Sequence, residues 1–317
     1  MDSKSIITNL NSFKILKSEI QNRSYFHAYL FVSEDGFLMQ NYIKYLTSLL
    51  LSNGETEENP KVLAESHPDV YIYPKNRQED FKTADVSDIL ENANLKSIES
   101  DKKVIIIEKF EKANLSSQNK LLKILEEPPK NLVFLLCAEN TNAILPTVLS
   151  RVSKINIELL SEKDILSLYS EEKSIGLIAK LSGGNLEKTE RLLHDKNFLK
   201  FYEDVASLFF TMNHSKQIVS CLKPFSNIKG NNKILFEILY LFYSDLLYCK
   251  NQLFEWVVNV QYLDKLKQKA EEFSCLAITN ICNLINEAYE KTLSNVNFNS
   301  VLENLIIQCL EVKNLCK

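Results

Sequence analysis

Residues 33 to 40 read Ser33, Glu34, Asp35, Gly36, Phe37, Leu38, Met39, Gln40. They lie between an apolar run, Ala28 to Val32, and a helical pattern carrying Met39, Ile43, Leu46 and Leu50. Strand, loop and helix in that order are the setting in which a glycine-rich loop wraps the phosphates of a nucleotide. The chemistry needs glycines that let backbone N–H groups approach phosphate, a lysine for the β- and γ-phosphates, and a Ser or Thr hydroxyl for Mg²⁺. Here Met39 and Gln40 stand where the lysine and hydroxyl are needed, Leu38 replaces a glycine, and Glu34 and Asp35 set two negative charges beside any phosphate. The stretch therefore reads as a strand–turn–helix that keeps the scaffold of a phosphate site without the site.

Metal and thiol chemistry find little support. The seven cysteines, Cys137, Cys221, Cys249, Cys275, Cys282, Cys309 and Cys316, are scattered and odd in number, and none forms a CxxC pair. That favours reduced, mostly buried thiols over a disulfide framework or a zinc site. His67 precedes Pro68 and reads as a turn residue, not a ligand.

The elements that must hold these residues are set by punctuation and period. The 317 residues contain six glycines and seven prolines, so each one marks a boundary, and the length suffices for two or three domains. Short apolar runs at Ala28–Val32, Val70–Tyr73, Val104–Ile107, Leu132–Cys137 and Ile155–Ile157 predict strands. They alternate with helical patterns such as Ser116–Glu126, where Ser116 suits a cap and Leu121, Leu122 and Leu125 form a stripe. This alternation predicts an α/β fold, a mostly parallel sheet with helices on both faces.

After Ile157 the strand pattern stops. Ser161 and Asp164 suit a capping box, a helix over Ile175–Leu181 ends at Gly183-Gly184, and Asn185 suits the cap of the next helix. From about Phe198 onward the pattern is helical, with Asn/Ser-rich breaks at Phe225–Asn232 and Leu293–Asn299. Ile234–Leu247 is apolar around most of its circumference, so it is expected to be buried on several sides. The expected division is 1–158 as the α/β domain, 159–197 as a small helical lid, and 198–317 as an all-α domain.

Apolar residues make up 45% and charged residues 25%, and the net charge is −4. These values fit a globular protein and argue against a strong generic binder of nucleic acid or membrane. The most apolar run, Ile234 to Cys249, is too short to span a bilayer and is broken by Glu237, Ser244 and Asp245. Met1-Asp2-Ser3-Lys4 leads into a polar, mixed stretch that does not read as an N-terminal signal segment, and a cytoplasmic location is expected.

Residues 102 to 152 are the most specific stretch. A strand ends in the acid Glu108, a helix carries NKLLKILEEPP, a second strand succeeds it, and LPTVLSR closes the block. In this block the chain resembles AAA+ clamp-loader ATPases. With FHAYLF at 26–31, HPDVY at 67–71 and NVNFNSVLENLI at 295–306, it resembles along its whole length the delta-prime type of subunit in bacterial DNA polymerase III clamp loaders.

That resemblance implies an AAA+ module, a small helical lid and a C-terminal helical collar that holds subunits together. It also assigns roles by position. Glu108-Lys109 stands where an Asp-Glu pair holds metal and orients water, and Lys109 cannot serve as a carboxylate. Ala138 stands where a polar residue senses the γ-phosphate. With Met39 and Gln40 these make four independent losses, so neither cofactor nor metal is expected. Lys188 matches a second sensing arginine and is expected to be a solvated helix residue. The acidic stretch Leu51–Glu65 lacks the four zinc-binding cysteines that many family members carry.

Arg151, in Leu149-Ser150-Arg151-Val152, matches the family's Ser-Arg-Cys motif, whose arginine reaches a neighbouring subunit's ATP. The resemblance thus implies a subunit without its own ATP site and with no activity alone, supplying an arginine finger in trans within a DNA polymerase holoenzyme. Its partners would be ATPase subunits of tau/gamma type and a delta-type subunit, with the sliding clamp and primer-template DNA reached through the complex. Two other readings stay open: a self-sufficient AAA+ ATPase with an unconventional loop, which Met39 disfavours, and a helical interaction protein on the same scaffold.

Overall fold

The computed structural model describes residues 3–77, 79–172, 174–211, 225, 232–294 and 296–315. By backbone proximity the chain divides into two compact units. The first comprises Met1–Ser170 and Gly183–Glu190, the second Glu171–Ser182 and Arg191–Lys317, so the residues of the expected lid are shared between them.

The first unit is built on five strands: β1 (Ala28–Val32), β2 (Val70–Tyr73), β3 (Lys103–Ile107), β4 (Leu132–Ala138) and β5 (Ser153–Asn156). Their spatial order is β2-β3-β4-β1-β5 and every pairing is parallel. All of β3 and β4 is buried, as continuous apolar runs must be when helices cover both faces of a parallel sheet. The helices of this unit are α1 (Ser3–Asn9), α2 (Asn11–Gln21), α3 (Gly36–Leu51), α4 (Pro60–Leu63), α5 (Thr83–Ala93), α6 (Leu115–Glu126), α7 (Pro146–Leu149) and α8 (Glu162–Leu168). This is the α/β arrangement expected of an AAA+ module.

Three local details decide how the site is held. Helix α6 begins one residue before the expected Ser116, because Asn114 is its cap and accepts from the Ser117 N–H at 2.8 Å. Its buried stripe runs through Gln118, Leu121, Ile124 and Leu125, while Leu122 is only half-buried. The Ser161–Asp164 capping box opens α8 as expected.

In the second unit, α9 (Ile175–Ser182) packs on the helix Asn232–Lys250, which also packs against the helices Phe198–Thr211, Leu263–Glu271 and Cys275–Leu293. Ile234, Leu235, Ile238, Leu239, Phe242 and Leu246 are all buried, which accounts for the apolar circumference of that central helix. Phe209 stacks on Phe242 with ring centroids 4.8 Å apart. Asp245, fully buried, accepts from the Val258 and Asn259 N–H groups at 2.9 Å each, and the Asn259 side chain in turn accepts from the Tyr202 hydroxyl. The expected break at Phe225–Asn232 lies almost wholly outside the described residues. No described helix is long and apolar enough to cross a membrane.

Candidate functional site

The loop after β1 is closed by the chain's own carboxylates. Asp35 is fully buried and caps α3, its Oδ1 accepting from the Leu38 N–H at 2.8 Å. The same carboxylate accepts from the Leu186 N–H, and at 3.3 Å from the Glu187 N–H, in the first turn of α10 (Leu186–His194). One side chain therefore neutralises the N-terminal ends of two helices, the positions at which backbone N–H groups otherwise bind anions. Glu187 completes the closure, since its Oε2 accepts from the Gly36 N–H at 3.1 Å. Burial pushes the Asp35 carboxyl above its usual range, outweighing the backbone donors that favour the charged form, and nearby Glu187 adds to the rise.

The glycine pair makes this closure possible. Gly183 and Gly184 both have positive φ, 60° and 86°, which ends α9 as expected. A Cβ at Gly184 would meet the Leu160 carbonyl oxygen at 2.0 Å, so only glycine permits that approach. Leu160 N–H donates to the Gly184 carbonyl at 3.1 Å, and Asn185 caps α10 through the Lys188 N–H at 2.7 Å. Lys188 itself is half-buried on this helix.

Where a nucleotide's phosphates and metal would need polar partners, the first unit carries an internal ion-pair chain. Glu108, at the end of β3, meets Arg77 Nη2 at 3.0 Å; Arg77 also reaches Glu65 at 3.1 Å, and Lys44 meets Glu65 at 2.9 Å. Burial raises the Glu108 carboxyl above its ordinary value despite Arg77. Glu65 is also pushed up by burial, but Lys44 and Arg77 together bring it below its ordinary value. Beside this chain lies a cavity of ≈110 Å³ lined by Gly36, Met39, Ile43, Ile106, Cys137 and Ala138 among others. Lys44, Arg77 and Lys109 also line it, and the first two are already held by Glu65 and Glu108. Cys137 is buried, and burial pushes its thiol far above the usual range, so it is inert.

Arg151 lies apart from this loop, two residues after α7. Gln118 sets its place. This fully buried residue donates to the Ala113 and Ala143 carbonyls at 2.9 Å each and accepts from the Leu145 N–H at 2.8 Å, fixing the start of α7 against α6. The guanidinium is about one-third exposed and engaged within the chain: Nε donates to Glu126 Oε1 at 2.7 Å and Nη1 to the Thr147 carbonyl at 2.7 Å. The structure therefore does not bring Arg151 together with Glu108, Lys109 and Ala138, which line the cavity beside the closed loop.

Sequence reasoning missed Glu126, Glu187, Arg77 and Gln118. Only Gln118 left a signal: it shares the face of Leu121 and Leu125, where a polar residue must find buried partners. His67, also buried, uses Nδ1 to accept from the Asp69 N–H at 3.2 Å. The carboxylate of Asp69, in the same HPDVY run, gathers the Ile98, Glu99 and Ser100 N–H groups within 2.8 Å.

Two family models match this chain in succession: "DNA polymerase III, delta subunit" over residues 8–161 and "DNA polymerase III, delta subunit, C terminal" over residues 196–311. The chain belongs to the DNA polymerase III delta-subunit family. Within it, DNA polymerase III subunit delta′ of Bacillus subtilis (strain 168) is 24% identical over 94% of this chain and 95% of its own length. Subunit delta′ of Haemophilus influenzae is 32% identical over 32% of this chain and 31% of its own, and subunit tau of Bacillus subtilis is 22% identical over 60% and 39%. Among solved structures, a DNA polymerase III gamma subunit-related protein from Thermotoga maritima is 17% identical with a TM-score of 0.47, covering 96% of this chain and 100% of that one. Helix α3 and strand β3 carry part of the buried core, including Leu38, Tyr42, Ile43, Ile105 and Ile107.

Proposed function

We propose that this chain is a clamp-loader subunit that binds no nucleotide itself and completes a neighbour's ATP site with Arg151. The reading is carried by the phosphate loop, whose anion-binding amides are already taken by Asp35 and Glu187. A chain with that loop contributes to an ATP-driven machine only through a neighbour. Its similarity to subunit delta′ over nearly the whole length supports the same role.

In this role the guanidinium of Arg151 meets charge developing on the neighbour's γ-phosphate. Such fingers raise the rate by about 10³- to 10⁵-fold. The planar fork suits two phosphate oxygens at once, which an ammonium does not. The partners are ATPase subunits of tau/gamma type and a delta-type subunit, with the sliding clamp and primed DNA engaged through the complex. Residues 198–317 serve as the collar and 159–197 as the lid.

Two experiments test the reading. Calorimetric titration of the purified chain with Mg-ATP should show no binding tighter than about 10 µM, equivalent to roughly −7 kcal/mol. A complex reconstituted from the ATPase subunits, clamp and primed DNA should load clamps only when this chain is included. Loading at full rate without it would reject the role.

A further inference from the structure

Arg151 has a dedicated counter-ion. Glu126 is the last residue of α6, and its Oε1 takes both Nε and Nη2 of the guanidinium, while Nη1 is held separately by the Thr147 carbonyl and the Ser150 hydroxyl. The two groups therefore divide the arginine. The backbone side anchors Nη1, and the Nε/Nη2 edge, the edge a phosphate takes in a bidentate pair, faces a carboxylate.

The surroundings make that carboxylate replaceable. Glu126 is 47% exposed and sits on the rim of an open hollow of ≈670 Å³ shared with Phe26, His27, Arg151 and Ser153. It also sits at a helix C-terminus, where the helix dipole disfavours a negative charge and favours the cation. His27 Nε2 pairs with the Leu125 carbonyl at 2.8 Å, so the end of α6 is fixed and the carboxylate, not the helix, is the part free to leave.

We propose that Glu126 is a positioning residue that holds Arg151 in reserve. It occupies the phosphate-facing edge of the guanidinium in the isolated chain and is exchanged for phosphate oxygens of a neighbour's nucleotide on assembly. The inference rests on the in-trans reading above. Because the exchange keeps the Nη1 anchor, the arginine turns about a fixed point and swaps one anion for another. Glu126 thus opposes engagement until a phosphate is present.

The test uses the reconstituted complex with Glu126→Gln, Arg151→Ala and the double variant, measuring KM for ATP and kcat. Gln keeps the size of the side chain and an acceptor for Nε but removes the charge. Exposed ion pairs are weak, so the expected gain is a fall in KM of about 2- to 5-fold for Glu126→Gln. kcat should stay nearly constant, and adding salt should shrink the KM difference from the unmutated complex. The double variant should match Arg151→Ala alone, because Glu126 acts only through Arg151. An unchanged KM in Glu126→Gln, alongside a clear loss in Arg151→Ala, overturns the reserve role and leaves the finger standing. A fall in kcat for Glu126→Gln also overturns it, since the carboxylate would then be aligning the arm and not competing for it. No loss in Arg151→Ala rejects the in-trans reading itself.

Discussion

Replacing Asp35 with Ala removes one carboxylate and strands backbone donors at two helix starts. The Leu38 and Leu186 N–H groups lose short bonds in a buried setting, and the Glu187 N–H loses a longer one at 3.3 Å. Bonds to a charged acceptor contribute about 1.5–3 kcal/mol each, so the two good ones amount to roughly 3–6 kcal/mol. Part of this is offset, because the buried carboxylate carries its own desolvation cost, the cause of its raised pKa. The net loss is expected at about 2–4 kcal/mol. For a unit of this size each kcal/mol moves the midpoint by about 2–4 °C, so Tm should fall by about 4–16 °C. Asp35→Asn keeps one acceptor oxygen and should lose about half as much. Thermal unfolding followed by circular dichroism reads both, with the transition of the first unit followed in each variant. A fall of less than about 1 °C in Asp35→Ala would refute the view that this carboxylate closes the loop.

Arg77→Ala should destabilise the first unit by about 1–2 kcal/mol at pH 7, a value discounted because Arg77 is partly exposed. The effect should have a defined pH dependence. Glu108 is already raised by burial and would rise further without Arg77, so stability is lost as pH climbs through its folded pKa. Glu65 is held below its ordinary value partly by Arg77, so its share of stability is present above about pH 4.3 and vanishes as pH falls. Both signs agree, and urea unfolding of Arg77→Ala should converge on the unmutated protein as pH falls through the depressed folded pKa of Glu65; a difference independent of pH would contradict the ion-pair chain. A chain ending near Asn197 should fail to co-purify with partner subunits, and retention at full affinity would reject the collar assignment.

The sheet was legible because each strand is a short apolar run bounded by turns, and a buried parallel strand requires such a run. Val70–Tyr73 and Ala28–Val32 match residue for residue. The cap of α6 was displaced because Asn114 and Ser116 are both good caps two residues apart, and the backbone geometry chose Asn114. The closure of the loop was not legible, since Asp35 and Glu187 are far apart in the chain and only the fold joins them. In the linear chain, Asp35 is a charge that repels phosphate; folded, it is a cap that replaces phosphate. The partner of Arg151 was hidden for the same reason. Glu126 reads as a surface acid of a helix end, and nothing in NKLLKILEEPP shows that it faces the later arginine.

The proposed role of this chain is to act on ATP bound elsewhere. Its most direct test is the steady-state ATPase and clamp-loading rate of the reconstituted complex carrying Arg151→Ala or Arg151→Lys. Assembly should stay intact, turnover at one neighbouring site should be lost, total turnover should drop less because other sites keep their own arginines, and lysine should rescue poorly. Unchanged ATPase and loading rates in both variants would contradict that role and leave Arg151 a surface arginine paired with Glu126.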